Sequence, residues 1–321
     1  MSLVEKALKK LHEQRSTAET AARNVAARRP SDAMPDTTAT VAPVARPEPP
    51  VVVPVPVAPV PAPAPVAVVR SGKVITLNLA ALRTEGLLAA EEEQRRVSSE
   101  YRQIKRPLIA TALGKGATPP IPNGRVIMVA SALPGEGKTF TSVNLAFNMA
   151  LEQDTSVLLV DADLPKPQIS RAFHVSDEPG LVDVLLDESK DVESVVLPTS
   201  VRGLSFLPAG TASGTATELL ASERMERIIA DLLKRDPKRI VLFDTSPLLL
   251  TTESRALAGV VGQIVIVVRA ESTTRRAVLE ALEFLGEEKT VGLVLNQSHA
   301  EPTHSYYGYG DYYGDAGRVA E

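Results

Sequence analysis

The chain has 321 residues, of which 44 % are hydrophobic and 23 % are charged, close to the averages of soluble globular proteins. This length predicts two domains, or one domain with appended segments. The 35 Lys and Arg residues nearly balance the 39 Asp and Glu residues, giving a net charge of −4, which argues against a nucleic-acid-binding protein. Because the chain has no cysteine, it cannot form a disulfide, a thiolate nucleophile or a Cys-ligated zinc site. These features fit a protein of the reducing cytoplasm.

Residues 1–29 have the pattern of a short amphipathic helix. Seven basic and three acidic residues surround a set of apolar residues at helical spacing, which are Leu3, Val4, Ala7, Leu8 and Leu11. Such a helix could dock on a partner or on an anionic membrane surface. It could equally be a solvated tail, and the pattern does not decide between the two. Residues 1–15 lack the continuous apolar stretch of a signal peptide.

A proline-rich segment, residues 30–70, follows this helix. Twelve of the 25 prolines lie between Pro30 and Pro65, with no aromatic residue among them. The uncharged stretch Val51–Val69 is long enough to span a bilayer, but its six prolines would leave backbone groups unpaired in lipid. We therefore expect a disordered linker with polyproline II character and no transmembrane segment.

Residues 71–123 are predicted to lead into the main domain. Lys73–Leu79 has the pattern of a short strand. Leu87–Arg106 has the pattern of a long helix, which Pro107 should end or kink.

From Gly124 onward, apolar runs alternate with helical patterns. The predicted strands contain Val126–Ala130, Val157–Val160, Leu204–Leu207, Ile240–Phe243, Ile264–Val268 and Val291–Leu295. The predicted helices include Lys138–Gln153, Glu218–Lys234 and Thr274–Leu285. Continuous runs of Val, Ile and Leu that alternate with helices are typical of a parallel sheet covered on both faces. The sequence thus predicts one α/β domain over residues 124–300, with a mainly parallel sheet and helices on both faces.

A glycine-rich loop, SALPGEGKT, follows the first strand of this domain. It ends in Gly137-Lys138-Thr139, as a phosphate-binding loop requires, although Ala132 replaces the leading glycine of the strict pattern. Gly135 and Gly137 allow backbone amides to turn toward phosphates at a helix N-terminus. Lys138 would contact the β- and γ-phosphates of a nucleotide, and the hydroxyl of Thr139 would bind Mg²⁺. The loop therefore predicts a P-loop NTPase.

Three carboxylates follow two other predicted strands. Asp161 and Asp163 end the segment VLLVDAD, and Asp244 lies in IVLFDTSP. Because doubly wound sheets bind ligands at the carboxyl ends of their strands, these side chains should meet beside the glycine-rich loop. We expect an ATP·Mg²⁺ site in which Lys138, Asp161 and Asp163 are catalytic, and Thr139, Asp161 and Asp244 serve the metal. Either Asp161 or Asp163 could be the base, and the sequence does not decide which of the two instead holds the metal.

Residues 301–321 form a tyrosine-rich tail. They carry five of the six tyrosines, Tyr306, Tyr307, Tyr309, Tyr312 and Tyr313, interspersed with Gly and Asp. A flexible segment with glycines can enter a neighbouring active site, as a substrate must. The alternative is an adhesive low-complexity tail. Next to an ATP site, the sequence favours phosphate-accepting tyrosines.

The segments SALPGEGKT, VLLVDAD and IVLFDTSP, together with the tyrosine cluster, resemble those of the bacterial tyrosine kinases of exopolysaccharide synthesis. The chain is most similar to the soluble autokinase type associated with exosortase systems, which shares its opening MSLVEKALKKL and its IKRPLI segment. The resemblance is good from about Ile75 to the C-terminus and loose over the first fifteen residues. It does not extend to the linker.

This resemblance implies a Walker A loop at Ala132–Thr139, a Walker A′ motif at Val157–Asp163 and a Walker B motif at Ile240–Pro247. It also implies autophosphorylation in trans within a ring-like homo-oligomer at the inner face of the plasma membrane. A membrane protein of the chain-length or co-polymerase type would be the activator. The residues expected to bind the nucleotide are Leu133, Pro134, Gly135, Glu136, Gly137, Lys138, Thr139, Phe140 and Asn296.

Three features depart from the family pattern. Lys166 stands where family members often have Arg after the A′ motif, and Ser246 replaces a proline common in the Walker B motif. The family's Glu-x-x-Arg-x-x-Arg oligomer motif aligns with Ser99, Arg102 and Lys105. Because Ser99 stands at the position of the glutamate, the acidic partner of an intersubunit ion pair is missing, and ring formation through this motif is in doubt.

Two other functions remain open. A switch ATPase of the partition or division-site type resembles this chain in its motifs, but it carries a second lysine where this chain has Leu133. An adaptor with a vestigial nucleotide site could instead tether polysaccharide machinery through its N-terminal helix and linker. The retained Lys138 and Thr139 and the three aspartates argue against lost catalysis. The sequence therefore favours an ATP- and Mg²⁺-dependent tyrosine autokinase that regulates exopolysaccharide synthesis or export.

Overall fold

A parallel sheet between two layers of helices organises the domain. The computed structural model describes residues 73–114, 121–286 and 289–298, which all belong to one compact unit, Ala67–Glu321. The predicted N-terminal helix (1–29), linker (30–70) and tyrosine tail (301–321) lie outside the described residues, so these predictions stay predictions.

Helices and strands alternate along most of the described chain. The strands are β1 (Val126–Ser131), β2 (Ser156–Ala162), β3 (Leu197–Pro198), β4 (Leu204–Leu207), β5 (Arg239–Thr245), β6 (Gln263–Arg269) and β7 (Thr290–Asn296). The helices are α1 (Leu79–Thr84), α2 (Gln94–Leu113), α3 (Lys138–Ala150), α4 (Gln168–Ala172), α5 (Leu181–Leu186), α6 (Ala216–Leu220), α7 (Glu223–Arg235), α8 (Thr252–Val260) and α9 (Arg275–Glu283). A 3₁₀ turn spans Val192–Val195.

The strands form a sheet in the order β3-β4-β2-β5-β1-β6-β7. All neighbouring pairs are parallel except β3 with β4, a two-residue antiparallel pair at one edge. This confirms the mainly parallel sheet. Because β5 lies between β1 and β2, the carboxyl ends of these three strands are neighbours. In this register Asp161 of β2 lies opposite Asp244 of β5.

Alternate residues of the strands contribute to two apolar clusters, one on each face of the sheet. Met128 of β1 packs in a cluster with residues of α5 to α9. Its neighbour Ile127 packs in a second cluster with residues of α1 to α4. Strand residues that are buried on both faces give the continuous apolar runs seen in the sequence. The prediction of helices on both faces is therefore confirmed.

The predicted strand Lys73–Leu79 is wrong, because only Ile75 makes a bridge, to Thr199. The amide of Ile75 donates to Pro198 O at 2.9 Å, and Ser200 N donates to Ile75 O at 2.9 Å. Two residues later, the amide of Leu77 donates to the Ser200 hydroxyl at 3.1 Å and not to a backbone carbonyl. This side-chain contact ends the ladder, and α1 begins at Leu79.

The long helix differs from the prediction at both ends. It begins at Gln94, not at Leu87, because Leu87 and Ala89 are buried before the helix starts. Asn144 of α3 holds this segment, since its amide group donates to Leu87 O at 3.0 Å and accepts from Ala89 N at 3.4 Å.

The same helix continues through Pro107 to Leu113. A proline inside a helix costs about 3 kcal/mol, and the buried face of α2, including Val97 and Tyr101, offsets this cost by packing on α3. The helix ends at Gly114, which has φ 60° and donates its amide to Ala110 O. This left-handed geometry is the usual C-terminal stop of a helix, so the glycine, and not the proline, is the end signal.

Lys105, the last residue aligned with the oligomer motif, is used within the chain. Its side chain is buried, and Nζ donates to Asn148 O at 2.7 Å and forms an ion pair with Glu152 at 2.7 Å. These contacts fasten α2 to α3. Lys105 is therefore not presented to a neighbouring subunit in this structure.

The predicted helix Glu218–Lys234 is two helices, α6 and α7, separated at Ser222. The hydroxyl of Ser222 accepts a hydrogen bond from Met225 N at 3.4 Å, which is the contact of an N-cap residue. Because an N-cap residue starts a new helix, the predicted single helix is divided at Ser222.

None of the helices in the described parts of the chain is both long and apolar enough to cross a lipid bilayer.

We predict that Leu82→Ala destabilises the domain by about 2–4 kcal/mol, whereas Leu79→Ala in the same helix changes stability by less than about 1 kcal/mol. Leu82 is 1 % exposed in the cluster under α1, and Leu79 is 39 % exposed. Urea unfolding of the two variants measures the difference. Equal effects would show that α1 does not anchor residues 73–89 to the core.

Candidate active site

The carboxyl ends of β1, β5 and β2 bring the predicted site residues together. The glycine-rich loop follows β1, Asp244 lies near the end of β5, and Asp161 and Asp163 lie at and just beyond the end of β2. Because β5 separates the other two strands, its aspartate lies between the loop and the β2 carboxylates. The expected meeting of these motifs at one sheet edge is observed.

The backbone of the glycine-rich loop has the geometry of a phosphate cradle. Gly137 precedes α3 with φ 90°, a left-handed conformation that favours glycine. A Cβ atom at Gly137 would collide with the side chain of Asn296. The start of α3 directs free amides and the positive end of the helix dipole toward the loop. The loop can therefore receive an anionic phosphate chain.

Lys138 forms a buried ion pair with Asp163. Its Nζ lies 2.7 Å from Asp163 Oδ2 and 3.3 Å from Thr139 Oγ1. The side chains of Lys138 and Asp163 are only 14 % and 8 % exposed. The other oxygen of Asp163, Oδ1, accepts a hydrogen bond from the Ser246 hydroxyl at 2.7 Å. The pair thus joins the beginning of α3 to the ends of β2 and β5.

Asp161 and Asp244 are completely buried and lie opposite each other on neighbouring strands. Asp161 Oδ2 accepts from the amide and the hydroxyl of Ser170, each at 2.8 Å. Asp244 Oδ1 accepts from the Ser142 hydroxyl at 2.8 Å. The second oxygen of each carboxylate, Asp161 Oδ1 and Asp244 Oδ2, has no hydrogen-bond partner among the described residues.

Burial and mutual repulsion change the protonation of these groups. Burial, with the charge of Asp244 added to it, raises the pKa of Asp161 to about 7, although the Ser170 bonds oppose the change. Burial also raises the pKa of Asp244 to about 6, against the opposing effect of Lys138. Burial alone would lower the pKa of Lys138, but the charges of Asp244, Asp163 and Asp161 outweigh burial and raise it. Lys138 is therefore a cation at neutral pH.

The residues present fit a Mg²⁺ ion. The two unpartnered carboxylate oxygens of Asp161 and Asp244 and the hydroxyl of Thr139 are the hard oxygen ligands that Mg²⁺ prefers. No group of three or more His, Cys, Asp or Glu side chains in the described ranges could hold a metal ion unaided. Mg²⁺ commonly takes one or two carboxylates and completes its shell with water and substrate phosphates. The donor set therefore matches a metal that binds together with a nucleotide.

Two residues predicted to bind the nucleotide, Glu136 and Asn296, make hydrogen bonds within the protein. Glu136 is buried, and its carboxylate accepts from Leu133 N at 2.7 Å and from the Thr273 hydroxyl. Asn296, at the end of β7, donates to Glu136 O at 2.9 Å. These bonds fasten the loop to the segments that follow β6 and β7.

Gly135 has φ 79°, and neither it nor Pro134 is buried. Phe140 lies in the first turn of α3, and its ring packs against the apolar cluster on that face. The predicted phosphate-accepting tyrosines lie outside the described residues.

The sequence did not indicate the roles of four hydroxyl residues at the site, although Ser246 was noted there as a departure from the family pattern. Ser142, Ser170, Ser246 and Thr273 each contact one of the acidic side chains described above. Ser142 follows Lys138 by one helical turn, and Ser246 lies within the Walker B segment, so a search for hydroxyl groups near the motifs would have found them. Thr273 belongs to no motif and is 137 residues from its partner Glu136, so no local pattern indicates it.

The domain is similar to known kinases. A family model described as an AAA domain matches residues 124–291. The tyrosine-protein kinase YwqD of Bacillus subtilis (strain 168) is 30 % identical over 234 residues, which are 72 % of this chain and 94 % of YwqD. The succinoglycan biosynthesis transport protein ExoP of Rhizobium meliloti (strain 1021) is 31 % identical over 204 residues, covering 59 % of this chain and 25 % of ExoP. This chain thus matches about a quarter of that longer relative.

A solved structure supports the same relationship. The crystal structure of the VpsO kinase domain is 30 % identical, with a TM-score of 0.52, and the match covers 64 % of this chain and 98 % of the VpsO domain. The matches to YwqD and to the VpsO kinase domain extend over nearly the whole length of each. The chain therefore belongs to the family of bacterial tyrosine-protein kinases.

Proposed function

We propose that the protein is an ATP- and Mg²⁺-dependent tyrosine autokinase that phosphorylates residues 301–321 of a neighbouring copy. The observation that carries this proposal is the buried ion pair of Lys138 with Asp163 beside the opposed carboxylates of Asp161 and Asp244. This arrangement supplies a cation for phosphate, oxygen ligands for a metal and a carboxylate that can receive a proton. Phosphoryl transfer to a phenol needs these three components.

The roles of the binding residues follow from their positions. The loop amides and Lys138 would hold the phosphates, while Thr139, Asp161 and Asp244 would hold the metal. When bound, Mg²⁺ neutralises charge on the phosphoryl oxygens. Because hydrogen bonds from Leu133 N to Glu136 and from Asn296 to Glu136 O hold the loop, its amides need little reorganisation to stabilise the transferring group.

Asp163 is the better placed of the two A′ carboxylates to act as base. Asp161 is completely buried, and Ser170 occupies one of its oxygens with two bonds. Asp163 is slightly exposed, and its Oδ2 accepts from Lys138. Once Lys138 contacts the phosphates instead of Asp163, Oδ2 can accept a proton from the substrate.

The tyrosine substrate supplies that proton. A phenol has a pKa of about 10 and is protonated at neutral pH, so it gains from a base within hydrogen-bond reach. The tyrosine oxygen forms its bond to the γ-phosphorus as the bond from that phosphorus to the bridging oxygen breaks. ADP leaves with the electron pair of the broken bond, and the phenolic proton passes to Asp163 Oδ2.

The one tyrosine outside the tail is poorly suited as an acceptor. Tyr101 is buried in α2, and burial raises its pKa to about 12. Its hydroxyl could reach an active site only if α2 left the core. The five tail tyrosines are therefore the proposed acceptors.

We further propose that the kinase acts in exopolysaccharide synthesis or export. The name of the related ExoP refers to succinoglycan biosynthesis and transport, which supports this assignment. On this view, the protein works at the cytoplasmic face of the membrane with a co-polymerase-type activator and assembles into a homo-oligomer. Because Lys105 is engaged inside the chain, the ring would form without this residue of the aligned family motif.

Lys138→Met should abolish phosphorylation of the tail while the fold is retained. Loss of the phosphate-binding cation should slow transfer by at least about 100-fold. Site-resolved mass spectrometry after incubation with Mg²⁺ and ATP provides the measurement, with exposed Lys190→Met as the matched control and Tyr101 as the internal negative control.

Phosphate on the tail of purified Lys138→Met would contradict this site assignment. Release of ADP by the unmodified protein without phosphate on its tyrosines would instead support the switch ATPase.

The stability of the nucleotide-free protein should fall as pH rises from about 4 to about 7. The folded-state pKa values of Asp161 and Asp244 are raised to about 7 and about 6, above the value of about 4 for an unfolded aspartate. The folded state therefore binds more protons in this window, and the free energy of unfolding decreases as they are lost. Mg²⁺ with ADP should stabilise the protein increasingly over the same window, since it binds the ionised carboxylates.

Urea unfolding across this pH range, with and without Mg²⁺ and ADP, tests the expectation. Asp161→Asn is the control, because it removes one of the titrating groups and should flatten the profile. Identical pH profiles for the variant and the unmodified protein would exclude Asp161 as a source of the effect.

A further inference from the structure

The tyrosine tail contains a repeated tripeptide. Tyr309 and Tyr313 are each followed by Gly and then Asp, giving Tyr-Gly-Asp311 and Tyr-Gly-Asp315. The other three tail tyrosines have Gly or Tyr at the second following position; they are Tyr306, Tyr307 and Tyr312. The tail thus contains two kinds of tyrosine, those with an aspartate two residues later and those without one.

An open cavity with a positive lining lies beside the A′ motif. Its volume is about 360 Å³, and it is lined by Glu85, Lys166, Gln168, Arg171 and Ala172. Lys166 and Arg171 are exposed, and the structure shows no ion pair to either one within the described ranges. Glu85 is the single acid of the lining, so the cavity has an excess of one positive charge. We name it the Lys166–Arg171 cavity.

This cavity begins close to the proposed base. The amide of Lys166 donates to Asp163 O at 2.9 Å, so one tight turn separates the two side chains along the chain. The helix that follows, α4, carries both Arg171 and Ser170, which holds Asp161. The lining of the cavity therefore begins three residues after Asp163 and continues on the helix that holds Asp161.

We propose that the Lys166–Arg171 cavity binds the aspartate two residues after the acceptor tyrosine of a second copy, which makes Tyr309 and Tyr313 the preferred acceptors. This inference rests on the proposed autokinase function. In an extended peptide, residues i and i+2 project from the same face and lie about 7 Å apart. The tyrosine and its aspartate can therefore reach Asp163 and the cavity together, and the glycine between them adds no side chain.

The chemistry of the cavity suits a carboxylate. A guanidinium group presents paired donors that match both oxygens of a carboxylate, and a lysine adds a flexible cation. The backbone contact that the structure gives Arg171, from Nε to Pro167 O at 3.3 Å, leaves its two terminal amino groups available. Because both cations are exposed, the preference should be about two- to fivefold and should weaken at high salt.

A reaction between two different copies tests the inference. The kinase copy carries Phe at all five tail tyrosines, and the substrate copy carries Lys138→Met, so phosphate can pass in one direction only. Site-resolved mass spectrometry then gives the rate at each tyrosine. We expect Tyr309 and Tyr313 to be modified about two- to fivefold faster than the other three.

Substitutions in the substrate copy separate the two sites. Asp311→Asn should slow only Tyr309, and Asp315→Asn should slow only Tyr313. Glu301→Gln is the matched control, because Glu301 follows no tyrosine at this spacing. Since each variant leaves one site as an internal standard, loss of folding cannot imitate the result.

Substitutions in the kinase copy test the cavity itself. Lys166→Glu with Arg171→Glu should abolish the preference, and Lys166→Arg should keep it. Lys234→Glu with Arg202→Glu is the control pair, since both residues are exposed and lie outside the cavity lining. The charge-reversed kinase should regain the preference toward a substrate copy that carries Asp311→Lys and Asp315→Lys.

Uniform rates at the five tyrosines, or a preference that survives charge reversal of the cavity, would overturn this inference alone. Absence of phosphate from every tail tyrosine, both alone and with the co-polymerase-type activator added, would overturn the proposed function, and the inference with it.

Discussion

The ion pair between Lys138 and Asp163 is the contact on which the rest of the site depends. It is buried, and removing one partner of a buried pair costs about 3–5 kcal/mol. Lys138 is thus held in place until another anion replaces Asp163. In the proposed function, the phosphates of a nucleotide are the anions that the adjoining loop receives. Exchange of Lys138 from carboxylate to phosphate would then couple nucleotide binding to release of the proposed base.

The sheet register sets the second constraint. Asp161 and Asp244 lie opposite each other without exposure to water, an arrangement that raises both pKa values and opposes ionisation. Lys138 compensates part of this charge, and a bound Mg²⁺ would compensate more. Selection for stability alone would favour apolar residues at such positions. The pair therefore lowers the stability of the domain, and the proposed metal site would account for this cost.

Much of this architecture could be predicted because it depends on local pattern. The apolar strand runs and the glycine-rich loop locate the sheet, and parallel strands bring the aspartates that follow them to one edge. Prediction failed where distant contacts decide the local structure. Helix α2 does not end at Pro107, because its buried face packs on α3. The contact between Glu136 and Thr273 joins residues that no motif connects.

The most direct test of the account measures Mg²⁺ binding, nucleotide binding and tail phosphorylation for Asp163→Asn and Asp161→Asn under the same conditions. If Asp163 is the base and Asp161 a metal ligand, Asp163→Asn should bind Mg²⁺ and nucleotide nearly as tightly as the unmodified protein, while tail phosphorylation slows by about 100-fold or more. Asp161→Asn should instead weaken Mg²⁺ binding. Rapid tail phosphorylation by Asp163→Asn would contradict the account, as would loss of Mg²⁺ binding in that variant alone.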